Sequence, residues 1–587
     1  MYTMFCCAIG IIIAAIISLA TYIATCICGR TRLFNGGASP AYRQIQLDVE
    51  RKYKRFKKPS KKIPFNSYCY PKSFNVQPQQ AFAGEYMKPG SGHKEMLVFH
   101  KIGAGKTCLS IQVGEKWLDR GKPIMVMPAS LVPGTRAEFR SPCAGTKYIS
   151  EEERVSLREL TPGSKEYNKI IELSDKRIDN AYHIYSYNKF ASDMEQNRVP
   201  SAPLIIIDEI QNVDNANGVF FKHLRNWIDK HRSATVIVMS GTPIFDSPEE
   251  LTNIARLLRI EVPSTELTPE DIPKLFAGKV SYYAGAPSYT FPEANVKIVK
   301  CPMSAFQAKW YRSEITAERN KMGDLKYKKV PNDFYIKSRQ RSNIVFPSGT
   351  NGVAGLSELT PALIKSSLAT YSCKYAAMMQ RLRKNKLSFI YSSFTGPYGI
   401  GSVKKVLQAH GYVDFAVHGP GPKRFAVFSG DETLKEKDRI RTVFNSAEND
   451  DGKRLQIVIG SPAIKEGVSL MRVRQVHLLE LYWNHSRLAQ IFGRAARYCS
   501  HKSLPKEERN VSIYLYAAVD KRLRARKSTK SGDSSRDKSI YTPEESVDMY
   551  MLSIADEKRD RAEPYVSALI NCAVDKMLHY PTTASVA

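Results

Sequence analysis

The sequence predicts an α/β protein built on parallel sheets, and two observations lead to this prediction. Beyond about residue 75, apolar runs of about five residues alternate with helix-length segments, the pattern of buried parallel strands joined by crossover helices. The chain has 587 residues, which is too many for one hydrophobic core, so more than one such domain is expected.

Charge and cysteine usage restrict the class of partner and the compartment. Lys and Arg number 87 against 57 Asp and Glu, a formal net charge of +30 that favours a polyanionic partner, either nucleic acid or an anionic membrane face. The 11 cysteines form no CxxC pair and no zinc-type Cys/His spacing. They therefore fit a reducing compartment and predict no structural metal.

The N-terminus contains a segment of membrane-spanning length. Phe5 to Ile27 carries no charged residue and as a helix would be roughly 35 Å long, so an uncleaved anchor is predicted, with a buried helix as the alternative. The basic run that follows predicts that the rest of the chain lies on the cytosolic side. The same run could also bind anionic lipid headgroups or nucleic acid, and the sequence does not separate these two.

A glycine-containing turn follows the first strong strand. Leu97-Val98-Phe99 predicts a buried strand, and Thr107 to Leu118 predicts the helix behind the turn. Backbone N–H groups of such a turn can surround a phosphate at a helix N-terminus, while Lys106 reaches the terminal phosphates and the Thr107 hydroxyl ligates magnesium. The predicted nucleotide-binding residues are His100, Lys101, Ile102, Gly103, Ala104, Gly105, Lys106 and Thr107. His100 occupies a position where the strict phosphate-loop pattern has glycine.

Two further strands end in polar residues. The strand from Leu204 ends at the adjacent carboxylates Asp208 and Glu209, of which Asp208 is predicted to hold magnesium and Glu209 to orient or deprotonate the attacking water. The next strand, from Thr235, ends in the small hydroxyl residues of SGTP, a turn that could sense the state of the phosphate.

These stretches carry a resemblance to a known superfamily. HKIGAGKT, DEIQ and SGTP, in this order and spacing, resemble motifs I, II and III of superfamily 2 helicases and translocases. The resemblance implies two tandem RecA-like lobes, ATP and Mg²⁺ as cofactors, and DNA or RNA as partner. It implies that Gln80 reads adenine, and that residues 122–131 (motif Ia) and 184–187 (motif Ib) touch a nucleic-acid strand.

The second lobe that the resemblance implies also has its motifs. Residues 388–392 resemble motif IV, residues 457–461 with 466–468 resemble motif V, and QIFGRAAR from Gln490 resembles motif VI. The spacing predicts Arg494 and Arg497 on one face of a helix. By resemblance, Gln490 belongs to the nucleotide site, both arginines face the γ-phosphate, and Arg497 is the arginine finger.

A narrower resemblance is to the nucleoside triphosphatase I and early-transcription-factor ATPases of nucleocytoplasmic large DNA viruses, poxvirus-like. It rests on LYWN before motif VI, on QIFGRAARYCSH and on SRQRSN at residues 338–343, and covers roughly residues 75 to 575. It implies viral transcription machinery as partner and a virus factory or virion as location. Gln211 is a departure, because many relatives have His at this position of motif II, where it links hydrolysis to the nucleic-acid motifs.

The sequence thus predicts an ATP-hydrolysing superfamily 2 motor, a helicase or translocase. Two alternatives are a termination-type nucleoside triphosphatase without unwinding activity, and a membrane-tethered nucleic-acid scaffold with weak ATPase activity. The basic and aromatic residues between the lobes suit either a nucleic-acid path or an ordinary helical insert.

The predicted segments are 1–29 (anchor), 30–74 (basic linker), 75–261 (first lobe), 262–375 (inter-lobe insert), 376–520 (second lobe) and 521–587 (basic flexible loop and C-terminal helices packed on the second lobe).

Overall fold

The computed structural model describes residues 40–58, 63–101, 103–161, 163–213, 218–263, 267–322, 333–383, 386–465, 469–523 and 541–579. No helix within these ranges is long and apolar enough to cross a bilayer. The predicted anchor, Phe5 to Ile27, lies outside the described residues, and so does most of the predicted basic loop that begins at Lys521.

The described chain forms two compact units, one of which is assembled from both ends of the sequence. Among the described residues, the first lobe consists of those from 40 to 288 together with those from 560 to 579, and the second lobe of those from 289 to 559. Each lobe contains one parallel sheet flanked by helices. The predicted α/β class with two parallel sheets is therefore confirmed.

The sheet of the first lobe is six-stranded, all its pairings are parallel, and its strand order is β3-β2-β4-β5-β1-β6. Four of its strands are buried along their whole length, as expected of a parallel sheet covered on both faces by helices. The strands are β1 (Glu95–His100), β2 (Ile124–Met127), β3 (His183–Ser186), β4 (Leu204–Ile207), β5 (Thr235–Ser240) and β6 (Val280–Tyr283).

Eleven α-helices of this lobe precede β6 in the described residues. They are α1 (Pro40–Lys52), α2 (Phe65–Cys69), α3 (Pro78–Tyr86), α4 (Lys106–Glu115), α5 (Val132–Phe139), α6 (Glu151–Glu159), α7 (Lys165–Ala181), α8 (Tyr187–Glu195), α9 (Val219–Lys230), α10 (Glu249–Leu257) and α11 (Ile272–Leu275). Helix α1 differs from the predicted basic linker, because Val49 and Tyr53 at its end are buried in one core cluster with Phe82 and Tyr86 of α3.

The sheet of the second lobe is seven-stranded and parallel, in the order β7-β13-β12-β8-β11-β10-β9. Its strands are β7 (Glu293–Pro302), β8 (Ser388–Tyr391), β9 (Val413–Asp414), β10 (Arg424–Phe428), β11 (Ile457–Gly460), β12 (Gln475–Leu478) and β13 (Asn510–Val519). Its helices are α12 (Ala305–Met322), α13 (Ile336–Asn343), α14 (Gly352–Glu358), α15 (Pro361–Tyr371), α16 (Cys373–Arg381), α17 (Ile400–Ala409), α18 (Phe415–His418), α19 (Leu434–Asn445) and α20 (His485–Ala495). Helix α21 (Val547–Asn571) begins in the second lobe and ends in the first, where α22 (Lys576–His579) follows.

The structure divides residues 262–375 differently from the predicted inter-lobe insert. Strand β6 belongs to the first sheet and β7 to the second, so the segment supplies one strand to each. Its aromatic residues Tyr311, Phe334 and Tyr335 lie in the core of the second lobe, and Arg339 and Arg341 are buried. These side chains stabilise the lobe, which corresponds to the ordinary-insert alternative for this part of the segment.

The prediction that the C-terminal helices pack on the second lobe is confirmed for the first part of α21, where Met551 and Ile554 lie in a core cluster of that lobe, and is wrong for the residues that follow. Leu569, Ile570 and Ala573 share a core cluster with strands of the first sheet. Val574 and Leu578 belong to the other core cluster of the same lobe. The end of the chain therefore completes the first lobe, and periodicity alone could not indicate which apolar surface it would cover.

A fully buried ion pair lies at the centre of the second lobe. Lys374 Nζ donates to Asp548 at 2.8 Å, and the two side chains are 0% and 1% exposed. Lys374 also donates to Ser342 Oγ and Asn343 Oδ1, both at 3.0 Å. Because a buried charge is tolerated only when its hydrogen bonds are satisfied, this network holds α13, α16 and α21 in one arrangement.

Candidate nucleotide site

The glycine turn between β1 and α4 has the backbone geometry of a phosphate-binding loop. Gly103 and Gly105 have φ of +79° and +76°, a conformation that a residue with a Cβ adopts only with strain. Helix α4 begins at Lys106, and no side chain caps its first turn. Such an N-terminus presents backbone N–H groups and the positive end of the helix dipole to an anion.

The other predicted residues of the loop occupy distinct environments. Lys101 is half-buried, Ala104 is buried, and Thr107 lies in the first turn of α4. His100 is completely buried at the end of β1. Ile102 lies outside the described residues.

Gln80 lies directly against the loop. Its side-chain Nε2 donates to the carbonyl oxygen of Gly105 at 3.0 Å, and its Oε1 accepts from the N–H of Gln77 at 2.9 Å. A Cβ added at Gly105 would lie 2.5 Å from Gln80 Nε2. Gln80 therefore positions the phosphate loop, and its predicted role in reading adenine stays a prediction.

Lys106 connects the phosphate loop with the carboxylates of motif II. Its Nζ lies 3.4 Å from Glu209 Oε1, and its side chain is 9% exposed. The same Nζ donates to the carbonyl oxygen of His100 at 3.5 Å. The sequence places these residues about a hundred positions apart, and the structure brings them into one ion pair.

The two carboxylates follow β4 in a tight turn. Asp208 is buried, and its Oδ1 accepts from the N–H of Glu209 at 2.8 Å. Glu209 has a φ of +52°, which costs a non-glycine residue about 1 kcal/mol or more. Asn212 donates to the carbonyl oxygen of Glu209 through both its backbone N–H and its Nδ2, each at 3.0 Å, and so holds the turn.

Gln211 bridges motif II to motif III. Its Nε2 donates to Glu209 Oε2, and its Oε1 accepts from the Ser240 hydroxyl at 2.7 Å. Ser240 Oγ in turn accepts from the N–H of Thr242 at 2.9 Å. An amide has both a donor and an acceptor, so Gln211 contacts the motif II carboxylate and the motif III hydroxyl at the same time.

Tyr187 is located differently from the predicted nucleic-acid contact of motif Ib. It is buried, and its hydroxyl donates to the carbonyl oxygen of Asp208 at 2.6 Å. This part of the segment therefore supports the motif II turn from inside the lobe.

The motif VI residues lie in the second lobe. Gln490 is half-buried on α20, and Arg494 is 8% exposed at the end of the same helix. The helix ends at Ala495, so Arg497 lies beyond it, in contrast to the prediction that both arginines share one helical face. The conformation of Ala496, with φ of −100° and ψ of 72°, terminates the helix.

Arg497 is held by groups of its own lobe. Its Nε donates to the carbonyl oxygen of Gly493 at 2.8 Å and its Nη1 donates to the Ser469 hydroxyl. Burial, and then the neighbouring charge of Arg494, lower the pKa of Arg497 to about 9, so the guanidinium stays protonated at neutral pH. The role of either arginine toward the γ-phosphate stays a prediction. Residues 466–468, assigned by resemblance to motif V, lie outside the described residues.

A disulfide beside the phosphate loop was not predicted from the sequence. Cys108, the residue after Thr107, pairs with Cys143, and the two are 35 positions apart. The expectation of reduced cysteines is wrong for this pair, because no local spacing pattern signals a bond between residues that only the fold brings together. The same two residues lie with Glu138 in a group of metal-ligand type, but the pair is used as a disulfide.

Comparison with known proteins identifies the family. Residues 50–245 match the family described as "Type III restriction enzyme, res subunit", and residues 402–499 match "Helicase conserved C-terminal domain". The chain is 36% identical over 499 residues to a protein of Acanthamoeba polyphaga mimivirus named "Putative ATP-dependent RNA helicase R563", a match that covers 80% of this chain and 87% of that protein. The chain belongs to helicase superfamily 2. It is an ATP-hydrolysing nucleic-acid motor, and its parallel sheets are the tandem RecA-like cores of that superfamily.

Two further relatives of this superfamily 2 protein are viral. It is 26% identical over 513 residues to the "Termination factor NPH-I homolog" of African swine fever virus, covering 73% of this chain and 70% of that protein. It is 25% identical over 533 residues to "Putative helicase 087L" of Invertebrate iridescent virus 3, of which it spans 51%. The resemblance to ATPases of nucleocytoplasmic large DNA viruses is thereby confirmed.

The Gln211 bridge predicts how hydrolysis communicates with motif III. Replacing Gln211 with Ala removes the contacts to both Glu209 and Ser240, so we expect nucleic-acid stimulation of the ATPase to fall about tenfold, the equivalent of one hydrogen bond to a charged group. ATPase rates with and without nucleic acid measure this effect.

Two variants control that measurement. Gln211→His should restore much of the stimulation, because a ring with one donor and one acceptor nitrogen can span the same groups. Gln196→Ala changes an exposed glutamine of the same lobe and should behave as the wild type. Full stimulation in Gln211→Ala would show that motif III is coupled by another route.

The Cys108–Cys143 bond predicts a redox-dependent stability of the first lobe. Closing a loop of 35 residues stabilises the folded state by about 3–4 kcal/mol through the entropy of the unfolded chain. Reductant should therefore lower the thermal midpoint of the wild type by several degrees more than that of Cys143→Ser. Peptide mapping without reductant should recover the cross-linked pair, and equal responses of the two proteins to reductant would contradict the prediction.

Proposed function

We propose that this superfamily 2 motor translocates along nucleic acid, with RNA as the first candidate, during transcription in a large DNA virus. The observation that carries the proposal is the continuous contact from Lys106 through Glu209 and Gln211 to Ser240. A change at the terminal phosphate can pass along these contacts from motif I to motif III. The name of the mimivirus relative favours RNA, and the transcription role is the one that the sequence resemblance implies; the African swine fever virus relative is named a termination factor.

The residues of the first lobe provide the parts that ATP hydrolysis requires. Lys106 lies at the N-terminus of α4, where its ammonium group can bind the terminal phosphates. Glu209 is half-buried next to Lys106 and can orient or deprotonate the attacking water. Asp208 and Thr107 would hold Mg²⁺, and their hard oxygen donors fit this ion, which neutralises phosphate charge when it is bound.

The alternatives make different predictions about strand separation and about hydrolysis. A termination-type translocase displaces bound proteins without unwinding a duplex, so a duplex-unwinding assay and a streptavidin-displacement assay separate it from a helicase. A scaffold with weak ATPase activity would keep its function when hydrolysis is blocked.

Variants of the nucleotide site test the proposal directly. We expect Lys106→Ala to lose ATP binding, and Glu209→Gln to retain binding but to lose hydrolysis by a hundredfold or more, because it keeps the shape of the side chain without its carboxylate. ATPase rates are measured side by side with RNA, single-stranded DNA and duplex DNA. An exposed charge change in the same lobe, Glu195→Gln, is the matched control.

The outcomes distinguish the hypotheses. Stimulation by RNA alone supports the RNA assignment, and stimulation by DNA alone overturns it while leaving the motor intact. Displacement activity that survives Glu209→Gln would support the scaffold and contradict the motor.

We further propose that the protein acts on the cytosolic side of a membrane in the virus factory or virion, anchored by Phe5 to Ile27. The support is the uncharged segment followed by basic residues. Full-length protein should float with liposomes after a high-salt wash, whereas protein lacking residues 1–29 should be released because only screened charge contacts remain. Flotation of neither protein would contradict the anchor.

A further inference from the structure

A buried polar cluster lies behind the phosphate loop and includes the end of the chain. His100 Nε2 lies 2.9 Å from the hydroxyl of Ser281, and this hydroxyl donates to Asp575 Oδ2 at 2.6 Å. The three residues are 0% exposed. His100 lies on β1, Ser281 on β6 and Asp575 in the turn before α22. In the sequence, Ser281 is 181 positions from His100 and 294 positions from Asp575.

Backbone contacts fix Asp575 against β6. The N–H of Tyr282 donates to Asp575 Oδ1 at 2.9 Å, and the N–H of Val574 donates to the carbonyl oxygen of Val280 at 2.8 Å. On its other side the segment is held by Lys58, whose N–H donates to the carbonyl oxygen of Leu578 at 3.0 Å. These backbone contacts therefore hold the Asp575 carboxylate within hydrogen-bonding distance of Ser281.

The hydrogen bonds of the cluster have a direction that depends on one proton. An ionised Asp575 only accepts, so Ser281 donates to it and accepts from a proton on His100 Nε2. If Asp575 is protonated it can donate, so Ser281 can then donate to His100 Nε2 and the ring proton moves to Nδ1. Among the described residues, His100 Nδ1 is buried without a hydrogen-bond partner, which makes the ring sensitive to this choice.

Two groups of the cluster titrate near neutral pH, Asp575 and Lys58, and of these two Asp575 is the one hydrogen-bonded to Ser281. Burial raises the pKa of Asp575 to about 7. Burial lowers the pKa of His100 well below its usual range and that of His579 to about 3, so both rings are neutral. Burial lowers the pKa of Lys58 to about 8, and its Nζ is bound to the Tyr283 hydroxyl at 2.8 Å. The remaining groups facing the cluster are Lys106, which acts on His100 by its charge, and Tyr86, whose pKa is raised by burial first and then by the charges of Tyr53 and Asp575.

His100 transmits the state of the cluster to the nucleotide site. It is the last residue of β1, and its carbonyl oxygen accepts from Lys106 Nζ at 3.5 Å. The next residue, Lys101, donates its N–H to the carbonyl oxygen of Tyr283 at 2.9 Å, which ties the start of the loop to the strand that carries Ser281. A change in the ring's hydrogen bond therefore acts where the loop leaves the sheet.

We propose that Asp575 is a positioning residue for ATP hydrolysis, which acts through Ser281 and His100 on the phosphate loop and is competent when ionised. The proposal rests on the ATPase function and assigns to the turn before α22 a role in the nucleotide site. Asp575 touches neither nucleotide nor water in this role, because two side chains separate it from the loop.

The test is the pH dependence of kcat/KM for ATP. In the wild type, kcat/KM should fall about fivefold from pH 8 to pH 6, since an acid with a pKa of about 7 changes from mostly ionised to mostly protonated over this interval and the protonated form keeps about a tenth of the activity. Asp575→Asn and Ser281→Ala should each lower kcat/KM at pH 8 by about tenfold, as expected for the loss of one hydrogen bond to a charged group, and should flatten the profile between pH 6 and 8. Both variants are compared with the wild type in the same buffers, so that any titration of ATP itself cancels.

Matched controls separate positioning from folding. Asp193→Asn and Ser174→Ala change buried residues elsewhere in the first lobe and should keep the wild-type profile. If Asp575→Asn fails to fold, the test rests on Ser281→Ala, which leaves the carboxylate in place. Variants that lose activity only in proportion to their folded fraction, with an unchanged pH profile, would show a purely structural role and overturn the proposal. An inactive wild type would instead overturn the ATPase function, so the two failures are distinguishable.

Discussion

The parallel pairing of β4, β5 and β1 is the constraint on which the nucleotide site depends. These strands are adjacent in the first sheet, and parallel strands deliver their carboxyl ends to the same edge. The carboxylates of motif II follow β4, the SGTP turn follows β5, and the phosphate loop follows β1. For this reason Glu209 lies next to Lys106, and Gln211 lies next to Ser240. Supporting contacts from outside these strands, such as those of Gln80 and Tyr187, then act on backbone atoms whose positions the sheet has already set.

The two lobes use buried charge in different ways. In the second lobe, Lys374 and Asp548 are paired and their hydrogen bonds are satisfied, so the charges lock the packing of three helices. In the first lobe, Asp575 lies among neutral histidines and is bound by a hydroxyl and a backbone N–H. The first arrangement stabilises the packing of its lobe, whereas the second places a titrating group behind the phosphate loop.

The sequence predicted much of the site because its chemistry is local. The turn from His100 to Thr107, the carboxylates after β4 and the hydroxyls after β5 each lie within a few residues of a recognisable strand, and the described residues of these segments follow their strands in the structure. Motif VI was predicted less well. Its arginines have helical spacing, but α20 ends at Ala495, so the position of Arg497 is set by its bonds to Gly493 and Ser469.

Other features required the fold because they join residues that are far apart in the chain. The basic and aromatic residues after β7 have the composition of a nucleic-acid path, and only burial showed that several of them form a core. The sequence by itself determined the order of the motifs along the chain, the class of nucleotide site and the superfamily, since short-range patterns encode strands, turns and their terminal residues. The tertiary structure alone decided the Gln211 bridge, the Cys108–Cys143 bond and the contact of Asp575 with Ser281, since each depends on which elements of the first lobe pack together. The contact of Asp575 also requires the C-terminal residues to return to this lobe.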